Sequence, residues 1–374
     1  TKFNKKIKIM KVNYLKNFIE DKRHSMIEYA NDLINYQKKN VKDFKINYCN
    51  PKLHNYHQFL PTIWRMRIAR YFDYPRLVNK LPNYDVTHIL DHSYAHLVKK
   101  INSNVKILTV NDLIPLIFEN KFSNKKYLFR YSLKHFKHFD KIIAISENTK
   151  KDILKYTDVD KNKIEVIYTN IPKNKKNKKK KKSKILKKFK LPLKSKKILI
   201  SGDGFYKNHK TSIKIFEEIL KKDKNVDLIW IGCQTNIKKI INKDLLKKIY
   251  IIPPVNKDEI YDIYRVCDVV LFISLYEGMG IVPLEAMMLK KPVITSNRSS
   301  LPEIVGKKGN IFNPYDIVGI TKEILKLFRN KRYYAQKVNM GIKQFDKFNY
   351  HQMHKKIINV YREELNKKNM IKFS

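Results

Sequence analysis

The chain has 374 residues, of which 43% are hydrophobic, so it is long enough for two domains that each bury a core of ordinary size. Its three cysteines, Cys49, Cys233 and Cys267, have neither Cys-x-x-Cys nor zinc-finger spacing, which excludes a disulfide framework and favours a reducing compartment. No uninterrupted apolar run approaches about 18 residues and no signal-peptide pattern stands at the start, so we expect a cytoplasmic protein.

The net charge of +46 comes from 80 Lys and Arg against 34 Asp and Glu, and a field of this strength attracts polyanions. One interpretation is coding bias, because most of the excess is Lys in a chain also rich in Asn and Ile. A second is peripheral contact with anionic lipid at the inner face of the cell membrane. Nucleic-acid binding is disfavoured, because no such motif accompanies the charge and the Lys-rich run over 173–190 has no aromatic residue except Phe189 near its end.

The first half of the chain alternates short apolar runs with helical patterns. A helix is predicted over Ser25–Gln37, and Ser146 is predicted to cap a helix that carries Ile153 and Leu154. The predicted strands are Lys6–Val12, Val86–Leu90, Lys106–Val110, Lys141–Ile145 and Ile164–Tyr168. Strands that alternate with helices predict a parallel sheet covered on both faces, so residues 1–171 are interpreted as one Rossmann-like βαβ domain.

After a Lys-rich linker predicted over 172–192, the same pattern begins again. Predicted strands are Lys197–Ser201, Asp227–Ile231, Ile249–Ile252 and Asp268–Ile273. Helices are predicted around Ile213–Leu220 and over Asp258–Val266, and a last amphipathic helix over Tyr350–Asn366. The interpretation is a second βαβ domain over 193–345, followed by a C-terminal helical segment over 346–374.

The last of these strands leads into a segment that combines glycines with two carboxylates. Glu277 and Glu285 stand eight positions apart, and Pro283 is predicted at the first position of a helix, with Glu285 in its first turn. A strand, a glycine turn and a helix N-terminus predict an anion site built from backbone amides. The amides are those of Gly278, Met279, Gly280, Ile281 and Val282. Because carboxylates bind hydroxyls, the ligand fits a phosphate with a sugar on each side, which is a nucleotide-sugar.

This segment resembles the donor-site signature of the retaining glycosyltransferases of family 4 (group 1), which have the GT-B fold. The resemblance continues through Lys291–Ser296, Ser299–Gly306 and Asn313–Asp316. It implies an α/β protein with two Rossmann-like domains facing a central cleft, and a last helix that packs back on the N-terminal domain. It also implies that Glu285 binds ribose hydroxyls and Glu277 binds sugar hydroxyls.

Two further loops of the second half have counterparts in the family. Pro254 and Val255 correspond to the place where the family seats the base. Gly202-x-Gly204 alone is a weak dinucleotide fingerprint, since the third glycine is absent. The family has a basic residue in this loop, which is Lys207 here, and the resemblance implies that Lys207 offsets charge on the leaving diphosphate. Where many members have an Arg after the loop glycine, this chain has Asp203 and Gly204.

In the first half, Thr87–Leu97 and Thr109–Leu116 resemble acceptor-side loops of the same family. Asn111 stands where members usually have a His that faces the reacting centre. Because Asn cannot act as a base, His92 or His96 is a candidate to compensate, and the alternative is that each histidine only packs or caps its loop.

The resemblance implies a retaining glycosyltransferase that moves a hexose-type sugar from a UDP- or GDP-sugar to a glycan or lipid-linked acceptor, in surface polysaccharide or lipopolysaccharide assembly. Neither a cofactor beyond the donor nor a metal is expected; Asp158-Val159-Asp160 is interpreted as a chance Asp-x-Asp. The alternative is a catalytically impaired GT-B protein that binds anionic membrane or nucleic acid through its charge. A GT-B epimerase or phosphorylase has no markers of its own here.

Overall fold

A computed structural model describes residues 9–53, 59–121, 126–172, 180–233, 241 and 243–373. The chain divides into two compact units. Thr1–Thr169 and His351–Ser374 form the first unit, and Asn170–Tyr350 forms the second. In the part of the chain that is described, no helix has both the length and the apolar character needed to cross a membrane.

The first unit is built on a six-stranded sheet. Its strands are β1 (Met10–Leu15), β2 (Phe44–Cys49), β3 (Tyr84–Ile89), β4 (Ser103–Val110), β5 (Lys141–Ala144) and β6 (Ile164–Val166). Its helices up to β6 are α1 (His24–Asn40), α2 (Thr62–Ile68), α3 (Tyr74–Asn79), α4 (Ile114–Ile117), α5 (Lys126–Leu133) and α6 (Glu147–Tyr156). The strand order is β2-β1-β3-β4-β5-β6, and these strands pair in parallel.

Local signals explain most of these elements. Ser146 caps α6 as predicted, and its hydroxyl accepts a hydrogen bond from the Thr149 amide at 3.0 Å. The strand predicted over Lys6–Val12 begins instead at Met10, and residues 6–8 lie outside the described residues. Strand β2 was not predicted, because the strand predictions rested on continuous apolar runs. Its Phe44, Ile46 and Tyr48 alternate with Lys45 and Asn47, which is the pattern of a half-buried edge strand.

The second unit contains a second parallel sheet. Its strands are β7 (Lys196–Ser201), β8 (Val226–Ile231), β9 (Ile249–Ile252), β10 (Val269–Phe272), β11 (Val293–Ser296) and β12 (Asn310–Phe312). Its helices are α7 (Lys182–Lys188), α8 (His209–Lys222), α9 (Lys243–Leu246), α10 (Lys257–Val266), α11 (Ile281–Met288), α12 (Leu301–Val305), α13 (Ile317–Arg329) and α14 (Lys331–Phe345). The strand order is β12-β11-β10-β7-β8-β9. The predicted α/β architecture of two parallel sheets with helices is therefore confirmed.

Part of the range predicted as a Lys-rich linker is a helix. Helix α7 lies within 172–192, and its Ile185 and Leu186 side chains are buried. Lys180 and Lys188 form ion pairs with Asp262 and Glu259 of α10, at 2.7 and 2.6 Å. Two adjacent apolar residues thus attach this end of the Lys-rich run to the second unit, while residues 173–179 lie outside the described residues.

The last helix, α15 (Tyr350–Phe373), extends seven residues beyond its predicted end at Asn366, and from His351 onward it belongs to the first unit. Tyr361 is fully buried, and its hydroxyl lies 2.6 Å from His88 Nδ1 and 3.2 Å from the Tyr14 hydroxyl. The other ring nitrogen of His88 lies 2.8 Å from the Thr109 hydroxyl. This buried polar chain joins α15 to β1, β3 and β4, so every polar group in it finds a partner.

Candidate functional site

In the sheet of the second unit, the strand order reverses between the neighbouring strands β7 and β10. From β7 the chain proceeds to β8 and β9 on one side, and from β10 to β11 and β12 on the other. In open α/β sheets, ligands bind outside the carboxyl ends of the strands at such a switch point. The two loops that follow β7 and β10 contain Lys207 and Glu277, so the predicted binding loops flank this position.

The glycine turn after β10 leads directly into α11. Gly280 precedes the helix with a φ of 92°, and a Cβ atom there would lie 3.0 Å from a methyl group of Leu301. Both the backbone angle and the close contact require glycine. The amides of Ile281 and Val282 then belong to the first turn of α11, where backbone N–H groups have no intrahelical acceptor. This turn can therefore donate hydrogen bonds to an anion.

The predicted position of Pro283 is wrong. It is the third residue of α11, because the left-handed Gly280 starts the helix at Ile281. Its missing N–H still belongs to the first turn and costs no intrahelical bond. Glu285 is consequently the fifth helical residue and lies beyond the first turn in which it was predicted.

Glu277 is fixed by its backbone and paired through its carboxylate. Its amide donates to the Ser299 hydroxyl at 2.8 Å, and its carbonyl accepts from the Ser300 hydroxyl at 2.9 Å. Lys207 Nζ lies 2.7 Å from Glu277 Oε1, and the two side chains are 15% and 13% exposed. A charge-assisted contact thus joins the loops that follow β7 and β10, and both charged groups retain access to a ligand.

The loop of Lys207 is held in place by its neighbour Asn208. Lys207 ends a short 3₁₀ turn, Phe205–Lys207, whose last amide donates to the Gly204 carbonyl at 3.0 Å. Asn208 is buried with a φ of 59°, and its amide group donates to the Pro314 carbonyl at 3.0 Å. Because this side chain ties the start of α8 to a second loop, Lys207 is presented on a fixed backbone.

Glu285 is buried and held by residues of α10. Its carboxylate lies 3.8 Å from Lys257 Nζ and accepts from the Tyr264 hydroxyl at 3.3 Å. Burial, with the neighbouring Glu285 carboxylate, raises the pKa of Tyr264 well above its usual range, so this hydroxyl stays protonated and donates. Pro254, exposed, and Val255, half-buried, lie in the loop after β9 and precede Lys257 in the chain. The site residues predicted for ribose and base are therefore connected through the start of α10.

Met279 and the glycines of the two loops can contribute only their backbone to the candidate site. Met279 buries its side chain at 3% exposure, so only its main chain can face a ligand. Gly204 has a φ of 156°, and Gly202 leaves the space in which the Lys207 side chain runs, since a Cβ there would lie 3.1 Å from Lys207 Cε.

The first unit has a switch point of the same kind between β1 and β3. Arg23 Nη1 lies 2.9 Å from Asp91 Oδ2, and Asp91 also accepts from the Ser93 amide at 2.8 Å and from the Asn17 side chain. Burial of Asp91 opposes its charge, but Arg23, His92 and Ser93 outweigh it and hold the pKa of Asp91 well below its usual range. Sequence reasoning missed Arg23 and Asn17, because the segment after β1 carries no motif.

The three acceptor-side candidates are placed differently. The backbone N–H of Asn111 donates to His92 Nδ1 at 3.4 Å. The side-chain Nδ2 of Asn111 is buried without a hydrogen-bond partner among the described residues. His96 Nε2 lies 3.0 Å from the Arg70 carbonyl. Burial lowers the pKa of His96 to about 4 and also lowers the pKa of His92. The structure therefore brings Asn111 and His92 together, and both histidines are neutral at physiological pH.

Among the described residues, no group of three or more His, Cys, Asp or Glu side chains could hold a metal ion. Of the predicted Asp-x-Asp, Asp160 caps the short turn Lys161–Lys163 through a contact of 2.9 Å with the Asn162 amide.

Two family models match the chain and together span most of it. "Glycosyltransferase Family 4" matches residues 36–174, and "Glycosyl transferases group 1" matches residues 181–344. The first match includes the β3 and β4 loops of the first unit, and the second includes Lys207, Glu277 and Glu285.

The relatives include mannosyltransferases. The serotype-specific mannosyltransferase WbdA of Escherichia coli is 24% identical over 304 residues, which are 71% of this chain and 35% of WbdA. The chain thus spans about a third of the length of that relative. The O-antigen chain mannosyltransferase RfbU of Salmonella typhimurium is 27% identical over 217 residues, which are 56% of this chain and 57% of RfbU.

Solved structures share the fold at low identity. HepE of Anabaena in complex with UDP-glucose superposes with a TM-score of 0.70 at 14% identity, covering 95% of this chain and all of that one. A glycosyltransferase of Rickettsia africae gives a TM-score of 0.65 at 18% identity, covering 96% of this chain and 99% of that one. The chain belongs to the group 1 glycosyltransferases of family 4 and has the GT-B fold.

Proposed function

We propose that the chain transfers a hexose from a nucleoside-diphosphate sugar to an acceptor hydroxyl, with retention of the anomeric configuration. Family membership supports glycosyl transfer, and the mannosyltransferases among the relatives support mannose as the sugar. The observation that carries the proposal is the Lys207–Glu277 pair, which lies at the switch point beside the start of α11.

The donor would be bound by charge and by backbone amides. Lys207, the amides of residues 278–282 and the positive end of the α11 dipole would hold the diphosphate. Glu277 would accept hydrogen bonds from sugar hydroxyls, Glu285 from ribose hydroxyls, and the base would lie against Pro254 and Val255. Because an ammonium group has three N–H donors, Lys207 can contact a phosphate oxygen while it keeps its bond to Glu277.

Lys207 would also assist the chemical step. As the bond between the anomeric carbon and the diphosphate breaks, negative charge develops on the leaving oxygen, and Lys207 with the helix N-terminus would stabilise it. The acceptor oxygen forms the new bond to the anomeric carbon, and its proton passes to the leaving phosphate. We expect transfer without a divalent cation, because these fixed positive groups carry the charge that a metal would otherwise neutralise.

The acceptor would be a glycan or lipid-linked glycan of a surface polysaccharide, a proposal supported by the O-antigen mannosyltransferase RfbU among the relatives. In this scheme Asn111 would hydrogen-bond an acceptor hydroxyl through Nδ2, which has no hydrogen-bond partner among the described residues. His96 would keep its loop in place through the Arg70 carbonyl.

The test is a thermal-shift and calorimetry panel of GDP-mannose, GDP, UDP-glucose and UDP, with a chelator present. A donor that binds the native state raises Tm, and we expect the largest rise with GDP-mannose. Lys207→Met should remove the rise, whereas Lys221→Met, on the exposed face of α8, should keep it.

Silence of the whole panel would contradict the proposal and favour a basic binding protein. With a responding donor, the anomeric coupling constant of the product, measured by NMR, tests retention separately.

A further inference from the structure

We infer that the first unit docks on an anionic lipid bilayer through an exposed aromatic surface around α2. The surface comprises Phe59, Leu60, Ile63, Trp64 and Phe72, whose exposed fractions lie between 41% and 89%. The inference stands apart from the proposed transfer reaction, because none of these residues belongs to the candidate donor site.

The aromatic surface is the outward side of an element whose other side is in the core. Met66 packs against the core of the first unit, and Ala69, Tyr74 and Val78 are buried in it. The segment therefore has its own apolar contacts, and the exposed apolar side chains are additional to them. Several large apolar side chains exposed within one short segment of a folded protein mark an interaction site, because water contact with large side chains is costly.

A neighbouring helix carries further exposed aromatic residues. Tyr71, just before Phe72, contacts Tyr131 of α5 with ring centroids 6.2 Å apart. Tyr131 and Tyr127 on α5 are themselves 46% and 71% exposed. Aromatic side chains with a polar group, such as Trp and Tyr, are enriched where a protein meets the interface between lipid and water.

The charges around the surface identify the occupant as an anionic bilayer. Arg65, Arg67, Arg76 and Lys80 lie within the same segment, and the guanidinium of Arg67 lies 5.2 Å from the Trp64 ring. Asp73 is the one acidic residue between 59 and 80. A second copy of the same surface would bring these cations against one another, whereas acidic phospholipid headgroups would neutralise them while the aromatic rings enter the interface.

Trp64 makes the docking directly observable. The chain has two tryptophans, and Trp64 is 53% exposed while Trp230 is 3% exposed. We expect vesicles of phosphatidylglycerol and phosphatidylcholine to shift the emission of Trp64 to the blue, and brominated lipids to quench it. Trp64→Phe should remove both signals, and vesicles of phosphatidylcholine alone should give little binding.

The strength of docking is tested by co-sedimentation with the same vesicles. Ile63→Ser combined with Phe72→Ser should lower the partition coefficient by about tenfold, because two apolar side chains no longer enter the interface. The matched control, Met370→Ser combined with Ile371→Ser, changes two exposed apolar residues of α15 and should leave partitioning unchanged. A cooperative thermal unfolding transition in each variant, measured without donor, shows that it is folded.

Three results would overturn the inference. The first is no binding to acidic vesicles, and the second is equal binding by the Ile63/Phe72 variant, which would assign any attraction to general charge. The third is a dimer, seen by sedimentation without vesicles, that the same variant dissociates, which would assign the surface to a second copy. Loss of donor binding alone would contradict the proposed transfer reaction and leave the docking results standing.

Discussion

Each of the two switch points has an ion pair between its two loops, and the two pairs differ in how exposed their carboxylates are. In the first unit Arg23 follows β1 and pairs with Asp91 after β3, at 2.9 Å. In the second unit Lys207 follows β7 and pairs with Glu277 after β10, at 2.7 Å. Each pair joins the two loops at which the strand order reverses.

The partners of the two carboxylates differ. Asp91 is completely buried and accepts from Arg23, Asn17 and Ser93. Glu277 is partly exposed, and within the described chain its carboxylate accepts from Lys207. A saturated, buried carboxylate organises its surroundings, whereas one with unused acceptor positions can bind a ligand. We therefore propose a structural role for the first pair and a ligand-binding role for the second.

The largest expected effect is the loss of transfer activity when a carboxylate of the second site is removed and the protein stays folded. Glu277→Ala and Glu285→Ala should each lower kcat/KM for transfer by about a thousandfold or more, because groups that bind the reacting donor are lost. The measurement is product formation under steady-state conditions. Glu218→Ala, an exposed carboxylate paired with Lys221, is the control and should retain normal turnover. Near-normal turnover in both site variants would sink the donor-site assignment.

Removing the carboxylate charge of the first pair should lower the stability of the protein. Asp91→Asn leaves Arg23 without its counter-ion, and we expect the free energy of unfolding to fall by about 3 kcal/mol. This is the lower end for a broken buried pair, because Arg23 remains one-third exposed and partly solvated. Urea unfolding measures the loss. If Asp91→Asn instead keeps full stability and loses activity, the distinction between the two pairs fails.

The sequence gives more information about the second switch point than about the first, for a physical reason. Glu277, Gly280 and Glu285 lie in one short segment after a strongly apolar strand, so their proximity follows from local structure. Arg23 and Asp91 are 68 positions apart, and only the strand order brings them together. Long-range pairing between irregular loops leaves no periodic signal in the sequence.

Two errors in the predicted secondary structure also arise because tertiary contacts leave no local signal in the sequence. Pro283 was predicted at the first helical position on propensity alone, but the left-handed Gly280 starts α11 two residues earlier. Helix α7 was interpreted as linker because Ile185 and Leu186 stand alone among lysines, and only their burial in the second unit reveals the helix. Tertiary contacts decided both cases.

Acidification should lower the free energy of unfolding through buried histidines of the first unit, which separates its structural groups from the ligand-binding groups proposed in the second. Burial lowers the pKa of His96 to about 4 and that of His88 to about 3. Between the folded pKa and about 6.5, each is protonated only when the chain unfolds, so stability is present at neutral pH and falls as the pH drops through this window. Each such histidine contributes at most about 1.4 kcal/mol per pH unit.

The measurement is the free energy of unfolding in urea at about pH 7 and about pH 5. His96→Phe should flatten its dependence on pH, and transfer by this variant should show the same pH profile as the native protein. Loss of an activity limb in the His96→Phe variant would instead identify His96 as a catalytic base.

The smallest effect concerns how Glu285 is held. Tyr264→Phe removes the hydroxyl that donates to Glu285 at 3.3 Å, and we expect the donor Kd to rise by about three- to tenfold with kcat little changed. Tyr333→Phe is the matched control, because it removes a tyrosine–carboxylate bond to Glu323 at 2.8 Å between α13 and α14. Both variants lose one hydrogen bond of the same kind, so a change in donor affinity confined to Tyr264→Phe would show that the buried carboxylate needs a fixed orientation. Equal affinity in both would mean that Glu285 is positioned without the Tyr264 hydroxyl, and the contact at 3.3 Å would then be incidental.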